Sequence, residues 1–219
     1  LVMVTKNGII KKTPASEYES IRKSGKIAIT LKEGDELISI FKTTGNDNIF
    51  LATRNGMAIC FNENDARAVG RTASGVKAID LADGDYVVGA EPVREDSKVL
   101  LVTDGGYGKC TDLTSFRIQH RGGKGLKAYK ITEKTGNIIG ISMVNDSEEL
   151  IMVTSEGVVI RIRIKDIATT TGRITQGVRL INLNDGVTVV SMDKISAEDA
   201  VEEESEENNT EVTAETTEE

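Results

Sequence analysis

An all-β, propeller-like fold of four blade-sized repeats is what this 219-residue sequence predicts, and three observations predict it. A hairpin signal recurs as Thr5-Lys6-Asn7-Gly8, Thr53-Arg54-Asn55-Gly56, Thr103-Asp104-Gly105-Gly106 and Thr154-Ser155-Glu156-Gly157. A glycine leading an apolar-rich strand recurs as Gly25-Lys26-Ile27-Ala28-Ile29, Gly75-Val76-Lys77-Ala78-Ile79, Gly125-Leu126-Lys127-Ala128-Tyr129 and Gly177-Val178-Arg179-Leu180-Ile181. Both signals keep one phase at a spacing of about 50 residues, the signature of a propeller, solenoid or array. Thirdly, no long stretch holds a helical period; only Ser16 to Arg22 and Glu63 to Ala68 read as single turns.

The elements follow in order. Val2-Met3-Val4 runs into Asn7-Gly8 and Ile9-Ile10 leads away. Asn-Gly between apolar runs predicts a hairpin whose two turn residues both take positive φ. Thr5, Thr53, Thr103 and Thr154 recur with it and are assigned to the hairpin. The Gly-led strand comes next. A further strand is expected at Asp35-Glu36-Leu37-Ile38-Ser39-Ile40, Asp85-Tyr86-Val87-Val88-Gly89-Ala90, Asn137-Ile138-Ile139-Gly140-Ile141 and Val187-Thr188-Val189-Val190. About four strands per unit is the size of a blade. Asp35 and Asp85 share one phase and read as turn or cap residues. Strict alternation in Ile160-Arg161-Ile162-Arg163-Ile164 buries one face and exposes arginine on the other. The units span approximately 1–48, 49–97, 98–148 and 149–192, followed by a tail over 193–219.

Composition narrows the class. The chain has no Trp, so the Trp-Asp signature of the common signalling propellers is missing. Cys60 and Cys110 are too few for a disulfide framework, and their strand context predicts buried free thiols in a reducing, cytoplasmic compartment. No apolar run reaches the ~18 residues that span a bilayer, so no membrane partner is expected. There is no signal peptide, and a start on a strand without Met reads as a cut. A Walker-type phosphate loop is missing, and no nucleophile–base set is visible. Tyr18, Tyr86, Tyr107 and Tyr129 read as packing or loop residues. His120, the only histidine, has neither a second imidazole nor suitably spaced cysteines for a metal. Its two remaining readings are a plain surface histidine and a protonation-dependent phosphate contact.

Charge divides unevenly. The whole chain has 27 basic and 35 acidic residues and a net charge of −8. Twelve of the acidic residues lie between Asp193 and Glu219 with a single Lys, which leaves roughly +3 for residues 1–192. The tail has few large apolar residues and too much charge to fold alone. It reads either as a solubilising terminus or as an intramolecular competitor that shields a basic surface.

That basic surface is expected in the loops between the two anchors. Lys11, Lys12, Arg22, Lys23 and Lys26 lie in the first unit; Arg67, Arg71 and Lys77 in the second. Lys109, Arg117, Arg121, Lys124, Lys127 and Lys130 lie in the third; Arg161, Arg163, Lys165, Arg173 and Arg179 in the fourth. Blades around an axis would bring these segments to one rim. Lys and Arg there suit a curved polyanion, because phosphate contacts give affinity without reading sequence. Interspersed glycines let backbone N–H groups approach phosphate oxygens.

Gln119-His120-Arg121-Gly122-Gly123-Lys124-Gly125 resembles the gyrase A box, Gln-(Arg/Lys)-Arg-Gly-Gly-(Arg/Lys)-Gly, and the 50-residue unit resembles the blades of the C-terminal β-pinwheel of DNA gyrase A proteins. Gly70-Arg71-Thr72-Ala73-Ser74-Gly75-Val76-Lys77 and Gly172-Arg173-Ile174-Thr175-Gln176-Gly177-Val178-Arg179 are similar stretches, and the resemblance covers residues 1 to about 192. It implies a β-pinwheel whose blades exchange a strand with a neighbour and wrap double-stranded DNA around a basic perimeter with positive handedness. By the same resemblance Gln119, His120, Gly122, Gly123 and Gly125 join the basic residues as DNA-binding. The partners implied are the remainder of gyrase A and the gyrase B protein, in a nucleoid-associated bacterial topoisomerase. ATP and Mg²⁺ would act elsewhere in that holoenzyme; this chain would hold no cofactor and catalyse nothing alone. Two departures stand out: His120 replaces Arg or Lys, and four repeats are visible where the gyrase domain usually has six. The alternatives are the equivalent domain of topoisomerase IV and a propeller scaffold for protein interactions.

Overall fold

A computed structural model describes residues 1–21 and 23–196. The first repeat supplies β1 (Val2–Thr5), β2 (Ile9–Lys12) and β3 (Leu37–Phe41). The second supplies β4 (Asn48–Thr53), β5 (Met57–Asn62), β6 (Val76–Lys77) and β7 (Val87–Pro92). The third supplies β8 (Lys98–Thr103), β9 (Tyr107–Asp112), β10 (Leu126–Lys127) and β11 (Ile138–Val144). The fourth supplies β12 (Glu149–Thr154), β13 (Val159–Arg163), β14 (Thr169–Thr170), β15 (Val178–Arg179) and β16 (Val189–Ile195). The expected helical turns are 3-10 turns at Ala15–Tyr18 and Glu63–Asp65.

Four sheets result, and each of the first three borrows its outer strand from the next repeat. Their orders are β3-β1-β2-β6, β7-β4-β5-β10 and β11-β8-β9 with β14 and β15 on the outer side of β9. The fourth sheet, β16-β12-β13, has no borrowed strand among the described residues. The Gly-led strands are therefore shorter than their sequence suggests, two residues each. Beyond them the chain dives inward: Ala78 donates its N–H to Gly8 O at 2.7 Å and is fully buried with Ile79. The strand expected at Gly25–Ile29 does not form, because no hairpin precedes it to pair with among the described residues.

Hairpin chemistry explains the recurring Thr and Gly. Thr5, Thr53, Thr103 and Thr154 are all buried, and each hydroxyl accepts the N–H four residues on, at 3.1–3.2 Å. The turn itself differs from expectation. Gly8 N–H donates to Thr5 O at 3.0 Å, which makes Lys6 and Asn7 the central residues and leaves only the glycine at positive φ, +76°. Asn7 needs no left-handed backbone; this is an ordinary turn closed by a left-handed glycine. Asp35 and Asp85 cap these turns, accepting from Asn7 and Asn55 N–H at 2.9 and 3.0 Å. In the third repeat the roles reverse, and Asp104 in the turn accepts from Asn137 N–H at 2.8 Å.

Cores lie between neighbouring repeats rather than inside them. Val2, Val4 and Ile10 meet Ile49, Leu51, Ile59 and Phe61. Phe50 and Cys60 meet Val99, Leu101 and Phe116, with Phe50 and Phe116 edge to face at 4.9 Å. Leu100, Val102 and Cys110 meet Leu150, Met152 and Ile164. Cys60 and Cys110 are free and buried, and burial pushes both thiols up to about 11. Ile160 and Ile162 pack inward as the alternation predicts, and Arg163 turns out to pair with Asp166 at 2.8 Å. The boundary expected at residue 192 falls inside β16: Asp193, Lys194 and Ile195 pair with Ile151, Leu150 and Glu149. Lys194 stays in the sheet because its ammonium donates to Met143 O at 2.6 Å and faces Glu91 at 3.5 Å. The remainder of the acidic segment, 197–219, lies outside the described residues.

The leading glycine is what lets a donated strand approach. A Cβ on Gly125 would sit 2.4 Å from Ala58 O, and the backbone there is left-handed at φ +73°. Gly84 has a similar φ, +75°, with nothing within 4 Å. Gly84→Ala is expected to lose only the backbone term, about 1–2 kcal/mol. Gly125→Ala should lose clearly more in urea unfolding, and equal losses would show that the approach to Ala58 is not what the glycine serves.

Candidate nucleic-acid interface

Three loops precede the donated strands, and the topology sets each on the outer rim of the preceding repeat. The loop 70–75 lies over β2, with Val69 N–H on Lys12 O at 2.8 Å. The loop 119–125 lies over β5, with Gln119 N–H on Cys60 O at 2.8 Å. The loop 172–177 lies over β9, where Cys110 N–H reaches Ala168 O at 3.3 Å. Of the four loops expected at equivalent places, these three are set so by the strand order; the loop of the first repeat has no preceding sheet among the described residues.

Side chains at the rim fall into two sets. Lys23, Lys77, His120, Lys124, Lys127 and Arg179 are exposed. Lys124 and Lys127 make no side-chain hydrogen bond among the described residues, whereas Lys77 pairs with Asp80 at 2.8 Å. His120 Nδ1 lies 3.2 Å from Asp65 Oδ2 with its ring almost fully in solvent. Arg179 is tied down: Nε and Nη2 donate to Tyr107 Oη at 3.2 and 3.0 Å and Nη1 to Asn182 at 2.8 Å. Those hydrogen bonds hold the Tyr107 phenol below its ordinary range. Lys26 is half-buried on Glu17 O at 3.2 Å. Arg22 lies outside the described residues.

The second set is half-buried. Arg71, Arg121 and Arg173 each turn a guanidinium back onto a main-chain carbonyl of the preceding Gly-led segment, at Ile27, Lys77 and Lys127, over 2.9, 3.0 and 2.8 Å. Arg121 also gives its Nε to Asp65 O at 2.8 Å and its N–H to Asp65 Oδ2 at 3.2 Å. Gly122, at φ +79°, aims its N–H at Ala78 O over 2.6 Å. Gly123 O accepts from Asp80 N–H at 2.9 Å.

Sequence reasoning misplaced two lysines. Lys11 and Lys109, expected among the loop charges, sit in β2 and β9 and are buried. Lys11 Nζ donates to Ala28 O at 2.5 Å and to Arg71 O. Lys109 Nζ donates to Arg173 O at 2.5 Å, Thr175 Oγ1 at 3.1 Å and Gly172 O at 3.4 Å. Both hold the main chain of a rim loop from beneath. One signal was present: the same repeat position holds Ile59 and Ile160, which marks it as inward-facing. Asp65, the anchor of the 119–125 loop, carried no such signal.

The profile of the family described as "DNA gyrase C-terminal domain, beta-propeller" matches residues 1–44, 47–94, 97–145 and 148–196. The chain belongs to the DNA gyrase C-terminal domain family. The gyrase A protein of Halalkalibacterium halodurans is 57% identical over 199 residues, covering 91% of this chain and 24% of that protein. The gyrase A protein of Clostridium acetobutylicum is 50% identical over 200 residues, again 91% and 24%. The chain thus spans about a quarter of the length of these curated relatives. Among solved structures, "Crystal structure of the C-terminal domain of DNA topoisomerase IV" matches with a TM-score of 0.86 at 29% identity, over 96% of this chain and 66% of that one. "Structure of DNA gyrase A C-terminal domain" matches at 0.77 and 26%, over 89% and 64%. Sequence identity to these gyrase A proteins favours gyrase over the topoisomerase IV alternative.

Lys109 yields a pH prediction in this gyrase-family domain. Burial first, then the Arg173 charge, lowers its ammonium to about 8. The unfolded chain, with an ordinary Lys near 10.4, therefore binds more protons between about pH 8 and 10.4. Over that window the parent should gain stability relative to Lys109→Met. Parallel unfolding curves at every pH would contradict it.

Proposed function

We propose that this gyrase-family domain binds and bends double-stranded DNA along its rim, as the C-terminal part of a gyrase A protein. The observation that carries the reading is the recurrence, on three successive sheets, of a glycine-bounded loop followed by an exposed cation at Lys77, Lys127 and Arg179. Lys124 and Lys127 are exposed and free of side-chain hydrogen bonds among the described residues, which leaves their ammonium groups open to a phosphate, and Lys77 stands at the place of Lys127 one repeat earlier. Contacts made at intervals along a curved surface supply affinity from phosphates while the duplex bends. Phosphate contacts carry no sequence information, so this reading predicts binding that is indifferent to sequence.

In the parent enzyme the rim would present the bent segment to the remainder of gyrase A, with ATP hydrolysis and Mg²⁺ use supplied elsewhere in the complex with gyrase B. The domain itself contributes binding and bending, not a chemical step. Segment 197–219, with its excess of carboxylates, competes with DNA phosphates for the same cations; its effect is greatest at low salt, where screening is weakest.

The test is duplex binding across a salt series. Parent affinity is expected to fall steeply with salt, at a logarithmic slope of about 0.9 per phosphate contact. Lys124→Ala with Lys127→Ala should flatten that slope by up to about 1.8, equally for unrelated sequences. A chain ending at Ser196 should bind more tightly than the parent at low salt. No binding at low salt by either chain would overturn the proposal, and unchanged affinity on truncation would remove the competitor role from the tail.

A further inference from the structure

Arg71, Arg121 and Arg173 occupy one repeat position, four residues before the leading glycine, and all three make the same contact. Each donates Nη1 to the carbonyl of the second residue after the preceding leading glycine. Beside each clamp runs a main-chain bond of equal phase: Thr30, Asp80 and Lys130 N–H donate to Ala73, Gly123 and Thr175 O at 3.4, 2.9 and 3.0 Å. Together these contacts link each Gly-led segment of the first three repeats to the loop of the next repeat. The first repeat has no preceding hairpin among the described residues, and at this position it carries Ile21, 67% exposed.

We propose that these arginines are positioning residues: they fix the spacing and tilt of successive rim loops, and so the path of bound DNA, while the exposed lysines make the phosphate contacts. The inference rests on the DNA-bending reading and divides the basic residues of the rim into two roles. Three features support it. The arginines are half-buried and point at protein carbonyls, whereas Lys124 and Lys127 are exposed. Lys11 and Lys109 grip the main chain at Arg71 and Arg173 themselves, so those two loops are held from both sides. In the 119–125 loop, where the buried position beneath is Ile59, Arg121 takes over with three bonds, to Asp65 O, Asp65 Oδ2 and Lys77 O. A guanidinium suits this task because its planar fork reaches two acceptors in a fixed geometry; an ammonium offers a point charge instead.

That difference supplies the test. Arg121→Lys keeps the charge that a phosphate would need and loses the fork. Arg121→Gln loses both, and Lys124→Ala serves as the contact control. For the 219-residue chain and each variant, two quantities are measured: the salt slope of duplex binding, and the linking-number shift per bound chain in a nicked plasmid resealed by ligase. The positioning role predicts that both Arg121 variants keep the parent slope but shift linking number by less than half as much per bound chain. Lys124→Ala should lower the slope by about 0.9 and leave the shift per bound chain intact. If Arg121→Lys matches the parent in both quantities while Arg121→Gln lowers the slope as Lys124→Ala does, Arg121 is a phosphate contact and the inference fails. A parent chain that neither binds DNA nor shifts linking number would overturn the DNA-bending reading itself, a result distinguishable from the first because no variant is then needed to see it.

Discussion

Donation of a short strand from each of the last three repeats to the hairpin before it is the constraint on which the rest of this structure depends. It completes the outer edge of a sheet that would otherwise expose unpaired N–H and C=O groups. It also carries the loop before the strand out onto the neighbour's rim. The fold and the candidate interface are consequences of one covalent arrangement: a basic Gly-rich loop placed immediately before a strand that belongs, in space, to the previous repeat. Left-handed glycines permit this, because Ile10 O, Ala58 O and Gly108 O each lie where a Cβ would be.

Cohesion between repeats has the same origin. The apolar clusters sit between sheets, so no repeat buries its own core, and stability is shared across junctions as in other nearest-neighbour assemblies. Polar groups reinforce those junctions at the rim. A lysine in the interior costs desolvation unless its donors are all engaged. Lys109 meets that condition with two carbonyls and a threonine hydroxyl, all three from the loop it supports. Buried charge is used here to hold the main chain of a rim loop in place.

Much of this is legible in the sequence. Period, phase, the Thr-to-Gly hairpins and the Asp35 and Asp85 caps could be read because each recurs with a physical role that a single copy leaves ambiguous. Other features could not be read, for identifiable reasons. Gly-Val-Lys-Ala-Ile looks like a five-residue strand, yet only its second and third residues pair, since Ala78 and Ile79 turn into the core between repeats. The segment Gly25–Ile29 has the same composition and forms no strand, because strand formation there needs a partner that composition cannot reveal. Arg71, Arg121 and Arg173 beside glycines looked like phosphate ligands; an arginine that grips a carbonyl and one that grips a phosphate have the same local sequence. Only the three-dimensional junction separates them from Lys124 and Lys127.

A rim of equivalent loops on a gyrase-family domain makes one demand on its ligand, that it touch several loops in succession. Hydroxyl-radical footprinting measures this directly, with the 219-residue chain on an end-labelled duplex of roughly 100 base pairs, shorter than the persistence length of about 150 base pairs. A duplex bent along the rim should show protection on one face, repeating at about every 10 base pairs over several turns. Protection confined to a single patch within one turn, under conditions where binding is complete, would contradict the claim that the rim bends DNA.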